Sequence, residues 1–134
     1  MAGFSRVALI GFGEVGQTLG ADLLKAGAQV AAYDVLFAKA DSIPSRALAS
    51  VPVRAAKSAA DAVKDVELVI SAVTADQAVI AGEQTGPHLG ARHLYADLNS
   101  ISPKAKERVA DAATANGAAF CEIAVMGPIP PYGH

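Results

Sequence analysis

The chain has one cysteine, Cys121, in 134 residues. That excludes an internal disulfide and a thiolate metal cluster, and it fits a reducing compartment. Aromatic residues make up 5% of the sequence, and 11 Lys and Arg stand against 13 Asp and Glu for a net charge of −2. No cluster of basic residues interleaves with aromatics, so there is no field or footprint for nucleic acid. No apolar run approaches the roughly 18 residues of a membrane span. The segment Met1 to Arg6 also lacks the charged region and long apolar stretch of a secretory leader. These absences point to a cytoplasmic protein whose partners are small molecules.

What is present is apolar: 52% of the residues are hydrophobic and 18% charged, with much alanine and valine. That composition suits parallel strands buried under helices on both faces. A chain of this length fits one domain and can bury roughly two-thirds of its unfolded surface.

Arg6 to Gly16, RVALIGFGEVG, organises the rest. The strand-like run Val7 to Ile10 breaks at Gly11, and Gly11, Gly13 and Gly16 lead into an amphipathic helix expected over Glu14 to Ala26, with Gly27 as its stop. In a dinucleotide-binding turn the first glycine permits the sharp bend, the second leaves room for a pyrophosphate, and the third lets helix and strand pack closely. Free amides at the helix start then face the phosphates. Glu14 suits that helix end electrostatically, with its side chain turned outwards. A second strand, Gln29 to Tyr33, ends in Asp34, eighteen positions beyond Gly16. A carboxylate there accepts hydrogen bonds from the adenosine ribose hydroxyls and repels a 2′-phosphate, so NAD is expected over NADP. The alternative, in which the glycines serve packing alone and Asp34 is a solvated loop acid, has the weaker support from context.

Further along, Pro44 interrupts any helix begun by Phe37 to Asp41, Val51 to Arg54 supplies a short third strand, and a helix follows from the N-cap Ser58 to Lys64. Glu67 to Val73 reads as a central parallel strand ending in small residues, and Thr74 or Asp76 caps a helix from Gln77 to about Gln84. Leu94 to Asp97 is the next strand. It delivers Asn99, Ser100 and Ser102 to a turn before Pro103, which opens a helix over Lys104 to Asn116. Lys104, Lys106 and Arg108 read as its solvated face. Ala118 to Val125 is the last strand, before MGPIPPYGH. His88 and His93 lie in or beside a loop with no partner at metal-ligand or triad spacing, so both read as solvated and no metal site is expected.

The expected fold is therefore α/β, a doubly wound, mostly parallel sheet in three layers. The glycine turn, Asp34, Ser71 to Thr74, Asn99 with Ser100, and Met126 with Gly127 all follow strand ends, where such sheets bind ligands. The candidate cofactor residues are Gly11, Phe12, Gly13, Glu14, Val15, Gly16, Asp34, Val73, Thr74, Asn99 and Ser100.

Three motifs carry a family resemblance. GFGEVG (Gly11 to Gly16), DLNSISP (Asp97 to Pro103) and EIAVMGPIPPYGH (Glu122 to His134) resemble the signatures of the 6-phosphogluconate and 3-hydroxyisobutyrate dehydrogenase superfamily, the β-hydroxyacid dehydrogenases. The spelling MGPIPPYGH is similar to the branch labelled phosphogluconate dehydrogenase, NAD-binding. The resemblance covers nearly the whole chain as the Rossmann cofactor domain, residues 1–134. It implies hydride transfer between a nicotinamide cofactor and a short β-hydroxy acid, with Ser100, Met126 and Gly127 towards the substrate. Where many members carry serine and two glycines, this chain has Met126, Gly127 and Pro128, and a thioether is no hydrogen-bond donor. Members continue into an all-helical domain that supplies the catalytic lysine and most of the dimer interface. No residue before His134 is a convincing substitute, so little activity is expected of the chain alone. A free-standing NAD-binding or sensing module is the alternative. Self-association through the face around Val125 to Tyr132, or docking to a helical partner domain, would follow from an uncovered interdomain surface.

Overall fold

The computed structural model describes residues 5–123. Six strands, β1 (Arg6–Ile10), β2 (Gln29–Tyr33), β3 (Arg54–Ala55), β4 (Leu68–Ser71), β5 (Leu94–Asp97) and β6 (Ala119–Glu122), form one sheet in the order β3-β2-β1-β4-β5-β6. Every pairing is parallel. The chain winds outwards from β1 to β3, crosses back, and winds outwards again from β4 to β6. The direction reverses between β1 and β4, which is where a doubly wound sheet opens its ligand crevice.

Among the described residues five helices cover the two faces. On one face α1 (Glu14–Lys25) and α2 (Ile43–Ala47) pack Leu19, Leu23, Ala47 and Leu48 on Val7, Leu9, Ile70 and Ala96. On the other, α3 (Ala59–Val63), α4 (Ala78–Thr85) and α5 (Pro103–Thr114) bring Ala62, Val63, Ala81, Val109 and Ala113 onto Ala8, Ile10, Val69 and Tyr95. The helix ends are built as their sequences dictate. Gly27, at a φ of +90°, lets its own amide and that of Ala28 return to the Leu24 and Leu23 carbonyls at 3.0 Å each. The Ser58 and Ser102 hydroxyls each accept a first-turn amide of their helix at 3.1 Å.

Three stretches differ from the sequence reading. Neither Thr74 nor Asp76 caps α4: a short helical turn, Ala75–Gln77, precedes it, and no side chain accepts an amide at the start of either. Pro44 sits in the first turn of α2 behind the N-cap Ser42, so it helps to start a helix there, where its missing amide costs nothing. The third strand is displaced and reduced to two residues, because Pro52 has no amide for a ladder and the Val53 amide turns back to the Val51 carbonyl at 2.8 Å. Among the described residues no helix is long and apolar enough to cross a membrane.

Candidate functional site

The strand register aligns one row across the C-terminal edge of the sheet. Tyr33 pairs with Ile10, Ile10 with Ser71, Ser71 with Asp97, and Asp97 with Glu122. The residues that leave these strands therefore emerge side by side. A cleft of about 1010 Å³ runs along this edge, bordered by Gly13, Asp34, Val73, Thr74, Asn99 and Ser100.

The three glycines of the first turn meet three different surroundings. Gly11 has a φ of +103°, and a Cβ there would run into the Ala72 carbonyl. A Cβ on Gly16 would run into the Gly11 carbonyl, so α1 can sit this close to the turn only without one. A Cβ on Gly13 would meet nothing within 4 Å, since it would project into the cleft. Gly13 is also the N-cap of α1, and no side chain caps that end. The first-turn amides of α1 are thus left to whatever enters the cleft.

Asp34 follows β2 and does two structural jobs. Its Oδ2 accepts the Phe12 amide at 2.8 Å, and its Oδ1 accepts the Leu36 amide at 2.9 Å. The carboxylate thereby ties the glycine turn to β2 and starts the short helical turn Val35–Ala38. An ionised carboxylate has about four acceptor positions. Two amides leave capacity for hydroxyl donors from the cleft. Around it Val35 and Ile43 are 61% and 67% exposed, giving this end of the cleft an apolar wall.

At the other end Asn99 is the hub. Its side-chain oxygen accepts the Val73 amide at 2.8 Å, its side-chain nitrogen donates to the Ser71 hydroxyl at 3.0 Å, and its own amide donates to Asp97 at 2.6 Å. These bonds lock the turn after β4 to the turn after β5. Beneath them Asp97 is fully buried, with Lys106 Nζ from α5 at 3.6 Å from its Oδ1. Tyr95 is also fully buried, and burial pushes its phenol up to about 12, against the pull of the nearby Ser71 hydroxyl and reinforced by the Asp97 charge. At the rim the Thr74 hydroxyl donates to Asp76 at 2.7 Å, which holds that carboxyl below its ordinary range.

Residues 6–129 match the protein family described as the NAD binding domain of 6-phosphogluconate dehydrogenase. This chain belongs to that family. The NAD-binding domain is 29% identical over 126 residues to an NAD-dependent L-serine dehydrogenase of Pseudomonas aeruginosa, covering 91% of this chain and 41% of that protein. It is 29% identical over 129 residues to a 3-hydroxyisobutyrate dehydrogenase of the same organism, covering 92% and 41%. A conserved protein of Sinorhizobium meliloti 1021 superposes with a TM-score of 0.83 at 30% identity, over 98% of this chain and 44% of that one. The domain spans about two-fifths of the length of the curated relatives it matches.

Of the eleven candidate cofactor residues read from the sequence of this NAD-binding domain, all but Phe12 and Gly16 border the cleft. The Phe12 ring is buried edge-on against Phe37 at 5.9 Å between centroids, and Gly16 lies behind the turn. Met126 and Gly127 lie outside the described residues. Two residues read as solvated are not. His93 is 6% exposed, with Nδ1 accepting the Gly90 amide and Nε2 facing the Val63 carbonyl, both at 2.9 Å. That pairing fixes the proton on Nε2 and spends both nitrogens on the fold. Lys106 is drawn inwards, 14% exposed, because the sheet row beneath α5 is acidic. Its place was detectable, since Lys106, Val109 and Ala113 fall at i, i+3 and i+7 on one helical stripe. Among the described residues no group of His, Cys, Asp and Glu could hold a metal ion.

Proposed function

We propose that the domain binds NAD extended along the strand ends. The pyrophosphate lies over Gly13 and the first-turn amides of α1, and the adenosine ribose hydroxyls donate to Asp34. The adenine rests among Val35, Leu36 and Ile43, and the nicotinamide end reaches Val73, Asn99 and Ser100. The observation that carries this reading is the open space beside Gly13 at an uncapped helix start. A free helix terminus in a cleft favours an anion. From Asp34 beyond β2 to Asn99 beyond β5 is three interstrand steps, ~14 Å at ~4.8 Å each, a span that suits a dinucleotide. Asp34 favours a free 2′-hydroxyl over a 2′-phosphate, hence NAD over NADP.

The bound cofactor supplies or accepts the hydride. The domain's own share is to bind it, fix its reach along the sheet, and leave one face of its nicotinamide end open towards the substrate. The activity we assign to the whole protein is oxidation or reduction at the hydroxyl-bearing carbon of a short hydroxy acid. The similarity to the L-serine and 3-hydroxyisobutyrate enzymes supports that class. Ser100 is exposed at the cleft and is placed towards the substrate in this reading. Titration calorimetry of the domain with NADH and NADPH in parallel tests the assignment. Tighter binding of NADH is expected, and tighter binding of NADPH overturns it.

A second reading, an NAD-binding or sensing module without catalysis, draws on the lack of a free acid or base at the nicotinamide end of the cleft among the described residues. Mixing the domain with the separately produced helical domain of a homologous dehydrogenase distinguishes the two. Turnover on mixing supports the enzyme, and NADH binding without turnover supports the module.

A further inference from the structure

We infer that Lys106 is a positioning residue for the nicotinamide end of the cofactor, acting through the peptide bond between Asn99 and Ser100. The inference rests on the cofactor assignment above. Lys106 projects from the second turn of α5 and its Nζ donates to the Asn99 carbonyl oxygen at 2.9 Å. The same ammonium stands 3.6 Å from Asp97 and 3.8 Å from Glu122, the two acids that end the sheet row. Buried Asp97 thus holds the cation, and the cation holds the carbonyl. None of this is needed to close the helix, whose N-cap is Ser102.

A peptide unit is planar, and this one is trans. Fixing the Asn99 oxygen on Lys106 therefore fixes the Ser100 N–H in the opposite direction. Among the described residues that amide makes no hydrogen bond, and Ser100 is exposed at the cleft. The Asn99 side chain, tied to Val73 and Ser71, holds the unit from its other side. With the ribose at Asp34 and the pyrophosphate at Gly13, continuity of the dinucleotide brings its nicotinamide end to this amide. The carboxamide oxygen of that ring is the acceptor such an amide would take. Lys106 touches no ligand in this arrangement and sets the donor's direction.

The test compares NADH with ADP-ribose, which keeps every group bound by Asp34 and Gly13 but lacks the nicotinamide. Both are titrated calorimetrically into the wild-type domain, Lys106→Met, Lys106→Arg and the double variant Asp97→Asn/Lys106→Met. The double variant removes both buried charges, so it decides the matter if Lys106→Met alone does not fold. The wild type should bind NADH more tightly than ADP-ribose. Without the lysine, NADH should weaken about tenfold, ~1.4 kcal/mol, while ADP-ribose stays within about twofold. Lys106→Arg, which keeps a cationic donor, should restore most of the difference. Equal loss for both ligands would show a merely structural lysine and overturn the inference, as would no loss for either. Equal affinity of the wild type for both ligands would overturn it while leaving the cofactor assignment intact. Failure of the wild type to bind ADP-ribose would overturn the assignment and the inference together.

Discussion

Replacing Asp34 by Ala should damage the free domain and its cofactor preference by separable amounts. In the free domain two amides lose their acceptor, that of Phe12 at 2.8 Å and that of Leu36 at 2.9 Å. Leaving the part-buried Phe12 amide unpaired costs about 1–3 kcal/mol. Losing the cap of the following turn adds ~1 kcal/mol. The unfolding free energy should therefore fall by about 2–4 kcal/mol, read as a lower urea midpoint at unchanged m. In the complex, each ribose hydroxyl loses a bond to a charged acceptor worth about 1.5–3 kcal/mol, so NADH should weaken at least about tenfold. NADPH should bind no worse than before, because the charge that repelled its 2′-phosphate has gone. Asp34→Asn keeps one oxygen for the backbone and should lose less stability while still relaxing the preference. Calorimetry with both cofactors, beside urea unfolding, gives all three quantities. The reasoning fails if Asp34→Ala weakens NADH and NADPH by the same factor, since the acid would then be only a staple of the turn.

Gly13→Ala should unfold at the wild-type urea midpoint yet lose NADH affinity, because its Cβ projects into open cleft; Gly16→Ala should lose about 1–3 kcal/mol of stability as well, its Cβ meeting the Gly11 carbonyl. His93→Ala leaves the Gly90 amide and Val63 carbonyl without their partner and should cost about 2–4 kcal/mol in urea, with NADH affinity unchanged in the folded fraction. Tyr95 contributes a pH dependence of known sign. Its phenol is raised from 10.0 to about 12, so the stability tied to its neutral form is fully present below pH ~10 and is lost as the pH rises towards 12. The wild type should lose up to ~1.4 kcal/mol per pH unit in that window relative to Tyr95→Phe, and parallel stability curves for the two would refute the burial argument.

The parts legible in the sequence are those where a local signal and the tertiary environment agree. Leu94–Asp97 is the strand read from LYAD, residue for residue, because a short apolar run bounded by turn residues has only one buried use in an α/β sheet. Ser58 caps its helix as its position implies. The glycine spacing was readable because each position has its own steric reason. Illegible parts depend on neighbours distant in sequence. Nothing near His93 announces the Val63 carbonyl thirty residues earlier that accepts its Nε2 proton. Asp34 was legible as a carboxylate at a strand end, whereas its grip on the Phe12 amide exists only once β1 and β2 pair. Lys106 is misread when it is grouped with Lys104 and Arg108 as one solvated basic face, because it lies across the helix from both, on the stripe of Val109 and Ala113. Asp97 and Glu122 at the end of adjoining strands reverse that reading for Lys106.

The same geometry argues for a division of labour. A domain that both bound the cofactor and moved the alcohol proton would need a titratable group free to reach the reacting oxygen. Among the described residues each polar candidate near the nicotinamide end is already engaged or unsuited. Asp97 is buried beneath Asn99 and Lys106, and Lys106 is committed to a carbonyl and two acids. Asn99 spends its side chain on Val73 and Ser71. Ser100 is exposed, but a hydroxyl without a neighbouring base is a weak acid and a weak base at neutral pH. These bonds make the cleft floor rigid, which suits holding a nicotinamide ring at a fixed height and direction, and they leave no side chain to cycle between protonation states. In the proposed reaction the proton would then come from a group outside the described residues. If that is so, hydride transfer and proton transfer belong to different structural units, and restoring turnover by adding the second unit should leave the NADH preference set by Asp34 unchanged. A change of preference on mixing would show instead that the second unit shares in reading the ribose.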